Sequence, residues 1–306
     1  MSVMPEQFIP QSTADGSFTF FSEEFQESYH SHFGARQESF QKFVVPTQLS
    51  QRATKVAKGH SIRILDVCYG LGYNTAAALQ TIWRQNPNCH IEVIGLELNS
   101  SVPRAANRHN LYADWDFEYL DILTKLASTY YVENDNLKAS LLIGDARTTI
   151  KQVLTESFQA DAIFLDPFSP PQCPQLWTIE FIGLVSKCLH HEGLLATYSC
   201  SAAVRTALLL SGLIIASTPP VGRKTPGTVA AHPACLQLLD QQSPLSTAEL
   251  EHLHTRAAIP YRDPSLQDQA QIILERRRQE QKSSTLETTS QARKRWSSRN
   301  LNTENL

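Results

Sequence analysis

Four acids and a pair of glycines close successive apolar runs of this chain, and their order fits the binding of a nucleoside. The segment Ile62-Arg-Ile-Leu-Asp66-Val-Cys-Tyr-Gly70-Leu-Gly72-Tyr-Asn74-Thr75 puts two glycines after a β-prone run and before a helical pattern. In an open α/β sheet ligands bind at that place, because glycine lets backbone approach a ligand that side chains would exclude. A dinucleotide fingerprint would carry a third glycine where this chain has Thr75. The acid Asp66 and the tight loop instead favour S-adenosyl-L-methionine, whose sulfonium amino acid needs a carboxylate rather than a pyrophosphate cradle. Glu97 ends the second run, where a carboxylate can accept both ribose hydroxyls. Asp145 follows the third run, where an acid can accept from an adenine amino group or simply cap the helix starting near Ala146. The expected cofactor set is Asp66, Gly70, Gly72, Asn74, Glu97, Asp145 and Asp166.

Asp166 ends the fourth apolar run, Ala162-Ile-Phe-Leu-Asp166, and the prolines of Pro167-Phe-Ser-Pro-Pro hold the following loop extended. A carboxylate there abuts the methyl donor. It can accept a hydrogen bond from an amine, orient its lone pair and take up its proton. The plainer alternative is a helix cap. Asp166 is the expected catalytic residue.

The elements that must position these acids alternate along the chain. Strands are predicted at 62–67, 91–98, 140–143, 162–165, 194–198 and 213–217, and helices near 74–84, 102–107, 146–154, 176–189 and 202–211. This pattern predicts an α/β fold, a Rossmann-like, mostly parallel sheet. A Pro/Gly cluster after Ser217 predicts a closing hairpin with an antiparallel edge strand. The aromatic, alternating stretch Asp15-Gly-Ser-Phe-Thr-Phe-Phe-Ser-Glu-Glu-Phe predicts a small N-terminal hairpin over the pocket. The expected organisation is a cap over 1–58, a core over 59–240, a helical extension over 241–282 and a disordered basic tail over 283–306.

Composition narrows the function classes. The 306 residues carry a net charge of -3 with 42% hydrophobic residues, a globular balance rather than a disordered or fibrous one. The longest apolar run, Thr206–Ala216, is short of the roughly 18 residues a membrane helix needs. The N-terminus lacks the basic start and apolar stretch of a signal peptide, so the expected compartment is the cytoplasm. Six cysteines without a C-x-x-C pair, and histidine pairs without ligand spacing, point to reduced thiols and no metal site.

Several motifs resemble the methyltransferase domain of MnmC, the family of tRNA 5-methylaminomethyl-2-thiouridine biosynthesis, and its stand-alone relatives. The most specific is Phe164-Leu-Asp-Pro-Phe-Ser-Pro-Pro-Gln-Cys-Pro-Gln-Leu-Trp177-Thr. Leu195-Ala-Thr-Tyr-Ser199 with Val204-Arg205, Val221-Gly-Arg-Lys224 and Ile259-Pro-Tyr-Arg-Asp-Pro264 support it. One departure is Cys68, which stands where the family loop has its first glycine and is expected to tighten the methionine end of the pocket.

The resemblance implies a methyltransferase without the FAD-dependent oxidase part, using S-adenosyl-L-methionine to N-methylate the 5-aminomethyl group of a tRNA wobble uridine. It also implies a tRNA partner held at the anticodon and, as expected here, a monomer. Tyr29, Phe33, Phe168, Trp177, Arg223 and Lys224 are the expected substrate contacts, by base stacking and phosphate binding. Two alternatives remain at this point: an aminopropyltransferase-like enzyme acting on a small amine, and a non-catalytic tRNA-binding adaptor.

Overall fold

The computed structural model describes residues 8–112, 120–222 and 225–295. The N-terminal hairpin forms because Asp15 Oδ1 accepts from the Ser17 amide at 3.0 Å and so fixes the turn at Gly16. It pairs β1 (Gln11–Ser12) with β2 (Phe18–Thr19), and a second small ladder joins β3 (Phe21–Ser22) to β4 (Glu27–Ser28). Helix α1 (Ala35–Glu38) runs into a π-helical turn at Ser39–Val44, and α2 (Leu49–Lys55) leads into the core.

The core alternates as the sequence predicts. Strand β5 (Ser61–Val67) is followed by α3 (Tyr73–Gln85), β6 (His90–Glu97) and α4 (Ser101–Arg108). Helix α5 (Leu120–Thr129) then leads through β7 (Tyr131–Asn134) into β8 (Leu137–Ile143), and α6 (Ala146–Thr155) precedes β9 (Ala160–Leu165). Helix α7 (Ile179–Lys187), β10 (Leu189–Thr197), α8 (Ala202–Leu210), β11 (Ile214–Thr218) and β12 (Gly227–Ala231) complete the sheet. Helices α9 (Thr247–His252) and α10 (Ala270–Ser283) pack outside it.

The eight strands lie in the order β11-β12-β10-β9-β5-β6-β8-β7. β5 is central, and Ile62, Ile64, Leu65 and Val67 are all buried, as expected of a parallel strand covered on both faces. Each such side chain contributes roughly 1.5–3 kcal/mol by burial. Ala76, Ala77 and Ala78 let α3 lie close on the sheet. The predicted hairpin forms from β11 and β12, and β12 inserts antiparallel between β10 and β11. The antiparallel strand at an edge is β7, which the sequence reading did not single out.

Two further expectations change. The helix predicted over 176–189 is split, because Thr178 is extended (φ -75°, ψ 152°) and caps α7 through its hydroxyl, leaving a separate 3-10 turn at Pro174–Trp177. Residues 284–295, expected to be disordered, are tied to the body. The Arg256 amide donates to Glu287 O at 2.9 Å, and Arg295 lies 2.5 Å from both Glu251 and Glu287. Among the described residues no helix is long and apolar enough to cross a membrane.

Candidate active site

Register puts the acids at one edge of the sheet. Val67 pairs with Leu96 and with Leu165, and Glu97 pairs with Ile143, so the loops after four parallel strands leave side by side. They open on a cavity of about 520 Å³, lined among others by Gly70, Glu97, Asp145, Asp166, Phe168 and Tyr198 and covered by the segment 21–32. The cap thus reaches the site: Tyr29 lines the cavity, and its ring edge would lie 3.4 Å from a Cβ at Gly70, whose φ is +54°. That left-handed backbone conformation is the reason for glycine there, since the contact with Tyr29 is an ordinary one.

Glu97 is buried. Its Oε2 accepts from the Gly70 amide at 2.7 Å and its Oε1 from the Asn99 amide at 2.8 Å, which fixes the carboxylate at the wall. Asp145 lines the same cavity and also caps α6, accepting from the Arg147 amide at 2.9 Å. Burial works against its charge, but hydrogen bonds from Arg147 hold Asp145 below the usual carboxylate range. The Arg147 side chain already donates to both of its oxygens, at 3.1 and 2.6 Å. Gln175 offers another acceptor at this wall, since its buried Oε1 has no partner.

Asp166 faces the cavity and accepts from Asn74 Nδ2 at 2.8 Å. The loop behind it is held at several points. Tyr198 Oη donates to Pro167 O and Trp177 Nε1 to Phe168 O, both at 2.8 Å. Glu27 of the cap accepts from the Ser169 amide at 2.8 Å and from the Ser169 hydroxyl. Phe168 stacks on Phe25 at 4.6 Å and meets Tyr29 edge-on at 5.0 Å.

Other expected residues stand elsewhere. Asp66 is fully buried behind the loop, where Thr75 Oγ1 donates to its Oδ2 at 2.7 Å and Oδ1 has no partner. Burial, opposed by the Thr75 bond and aided by Glu97, raises its carboxyl to about 7. Asn74 is likewise buried behind Asp166 rather than on the cavity wall. Gly72 faces inward: a Cβ there would lie 2.6 Å from the Tyr69 hydroxyl and 2.8 Å from that of Tyr112. Trp177 is 0% exposed, so it cannot stack on a base, and its conspicuous place in the loop motif reflects packing. Phe33 is exposed outside the cavity wall, against Gly222. Arg223 and Lys224 lie outside the described residues.

Sequence reasoning missed Glu27, Gln175, Arg147 and Tyr198 as site residues. Nothing in the local sequence of Glu27 or Gln175 marks them. Their roles depend on where the cap and the 3-10 turn dock. His190, His191 and Glu192 bring three donor atoms within 4.8 Å of one another, but they sit at the start of β10, opposite the strand ends that form the cavity.

The donor set can be tested against the expected cofactor. Six carboxylates line the cavity (Glu24, Glu27, Glu38, Glu97, Asp145 and Asp166), against one guanidinium, Arg147, which is paired. Such a wall fits a sulfonium cation and a ribose diol and disfavours a pyrophosphate. The size is right for a nucleoside ligand.

Comparison with known proteins agrees. The sequence profile of a family described as S-adenosyl-L-methionine-dependent methyltransferase matches residues 106–233. The crystal structure of MNMC2 from Aquifex aeolicus is 34% identical, covering 92% of this chain and 87% of that one, with a TM-score of 0.76. An uncharacterized protein of Methanocaldococcus jannaschii is 32% identical over 74% of this chain and 60% of its own length. The tRNA 5-methylaminomethyl-2-thiouridine biosynthesis bifunctional protein MnmC of an Acidovorax species is 25% identical over 67% of this chain and 32% of its own. The chain thus spans about a third of that bifunctional relative's length. One-third identity and a common fold over nearly the whole chain show that it belongs to the MnmC-like family of S-adenosyl-L-methionine-dependent methyltransferases.

Proposed function

We propose that the protein N-methylates the 5-aminomethyl group of a tRNA wobble uridine, in the cytoplasm. The observation that carries the chemistry is Asp166, aimed into a carboxylate-rich cavity and held by Asn74. S-Adenosyl-L-methionine, when bound, supplies an electrophilic methyl group. Glu97 would hold the ribose hydroxyls, and Gly70 would let the backbone close on the amino-acid end. Gln175 Oε1, rather than Asp145, has the open acceptor for an adenine amino group.

A primary amine enters mostly as an ammonium, which the acidic wall attracts but which has no lone pair. Asp166 takes one proton from that nitrogen, so the neutral amine attacks the methyl carbon as its bond to sulfur breaks; the product leaves as a secondary ammonium, and Asp166 returns its proton to solvent. Phe25, Tyr29 and Phe168 exclude water and offer ring faces to the uridine base. Most of the acceleration comes from holding nitrogen and methyl in line. The relatives named for tRNA modification supply the choice of RNA as acceptor. The acidic wall alone would equally suit a small diamine.

The test is incubation with labelled S-adenosyl-L-methionine and tRNA lacking this methylation, followed by nucleoside analysis, with Asp166→Asn and a diamine acceptor alongside. Label in 5-methylaminomethyluridine that Asp166→Asn abolishes is expected. Label in the diamine alone would overturn the RNA reading.

A further inference from the structure

A second concave site lies away from the cavity, between the 256–258 turn, α10 and residues 288–290. It is a groove of about 590 Å³ whose wall includes Arg256, Arg277, Arg278, Lys282 and Thr288. We propose that this groove binds backbone phosphates of an RNA and anchors it for the active site. The proposal rests on the reading of RNA as substrate.

The charges around this groove are sorted. Arg276, which precedes Arg277 and Arg278 in the chain, is neutralised by Asp268 at 2.7 Å, and Arg295 by Glu251 and Glu287. The two half-buried guanidiniums of the groove are held differently. Arg256 donates Nε to Leu286 O at 2.9 Å and Nη2 to Ser284 O at 3.1 Å. Arg277 donates Nε to Ile259 O at 2.6 Å and Nη2 to Ala257 O at 3.0 Å, with its guanidinium 4.4 Å from the Tyr261 ring centroid. Neutral carbonyls fix a guanidinium without cancelling its charge. Among the described residues neither Arg256, Arg277 nor Lys282 forms an ion pair with a carboxylate, and exposed Arg278 meets Glu275 only at 3.7 Å. Fixed, partly desolvated cations in a concavity favour an anion, and guanidinium geometry favours phosphate.

RNA needs such an anchor here. The cavity mouth carries carboxylates and repels phosphate, so affinity for a polyanion must come from another surface. The groove is also joined rigidly to the cavity wall. Tyr261, beneath Arg277, accepts from the Ile179 amide at 3.1 Å, immediately after the 3-10 turn that carries Gln175.

The test measures binding of an unmodified tRNA transcript by anisotropy across a KCl series. Wild type is compared with Arg278→Gln/Lys282→Gln, which alters exposed groups alone, and with Arg256→Gln. The double variant should bind about tenfold more weakly, with a salt slope shallower by about 2, since each lost phosphate contact removes roughly one. Affinity for S-adenosylhomocysteine should not move. Equal affinity and slope in wild type and variants overturns the groove while leaving the proposed reaction standing; wild type that binds no tRNA overturns both. Inorganic phosphate is added at matched ionic strength as a competitor. If millimolar phosphate binds wild type but not the double variant and yet leaves tRNA bound to both, the groove is a small-anion site and its role in RNA binding is overturned; displacement of tRNA from wild type alone supports it.

Discussion

Asn74 Nδ2 lies 2.8 Å from Asp166 Oδ2 and so ties the glycine-loop helix to the loop that carries the proposed proton acceptor. Asn74 approaches from behind the cavity wall, and its bond restrains the Asp166 carboxylate that lines the cavity. Asn74→Ala should therefore lower kcat by roughly 10–100-fold through loss of orientation, with cofactor affinity changed little. Asn74→Asp adds a like charge, which raises the carboxyl pKa of Asp166 and moves the acid limb of the kcat profile to higher pH. A pH–rate series on both variants checks this; an unmoved limb in Asn74→Asp would show that Asp166 does not carry the proton.

Cys68 adopts φ +69°, in the region that favours glycine, at the position where related loops have one. The backbone strain costs on the order of 1 kcal/mol. The thiol offsets part of it by packing against the core around Leu65 and Val67, and burial pushes its pKa well up. Cys68→Gly should leave stability unchanged or raise it by up to about 1 kcal/mol, whereas Cys68→Val should cost more than that. Urea denaturation of the two variants decides the point, and a large loss in Cys68→Gly would mean the thiol packing outweighs the strain.

What was legible in the sequence follows from period and position. An acid closing an apolar run must sit at a strand end, so the placement of Glu97, Asp145 and Asp166 on one cavity could be read from spacing alone. Which way a side chain turns could not. Asp66 and Asn74 carry equally conspicuous positions yet point behind the loop, because Thr75 and Asp166 bind them there. Trp177 reads the same in a motif whether it packs or projects. Glu27 and Gln175 become site residues only through long-range docking, which no local pattern encodes. Strand β7 was overlooked for another reason: Tyr131-Val-Glu-Asn134 has a single buried residue, too weak a signature to separate an edge strand from a loop.

Asp66 should make stability pH-dependent. Burial raises its folded-state carboxyl to about 7, against about 4 in an unfolded chain. The folded state therefore holds a proton the unfolded state releases. That contribution is complete below about pH 4 and is lost as pH rises through about 7, where the buried group must ionise at a cost of several kcal/mol. Asp66→Asn is neutral throughout, so its melting temperature relative to wild type should rise between pH 5 and pH 8. Melting curves of the two proteins that run parallel over that range would rule the argument out.

The Arg147 guanidinium connects the cavity wall to the C-terminal extension. It donates Nη1 to Asp263 Oδ2 and to Asp268 O, both at 2.9 Å, while Nε and Nη2 hold Asp145. The Ile259–Pro264 motif is thereby joined to the cofactor cavity through one side chain. Asp263 is 0% exposed, and without Arg147 its remaining partners are the Gln267 and Asp268 amides and the Ser265 hydroxyl, at 3.1 to 3.4 Å. Arg147→Met should cost about 3–5 kcal/mol, because it leaves a buried carboxylate without its counter-charge. Most of that cost belongs to the stranded charge and not to the lost contact. Asp263→Asn in the Arg147→Met background should then restore stability, although Asp263→Asn alone destabilises the wild type. A double-mutant cycle by urea denaturation measures the coupling; additive losses would mean that the two residues are held by independent surroundings rather than by each other.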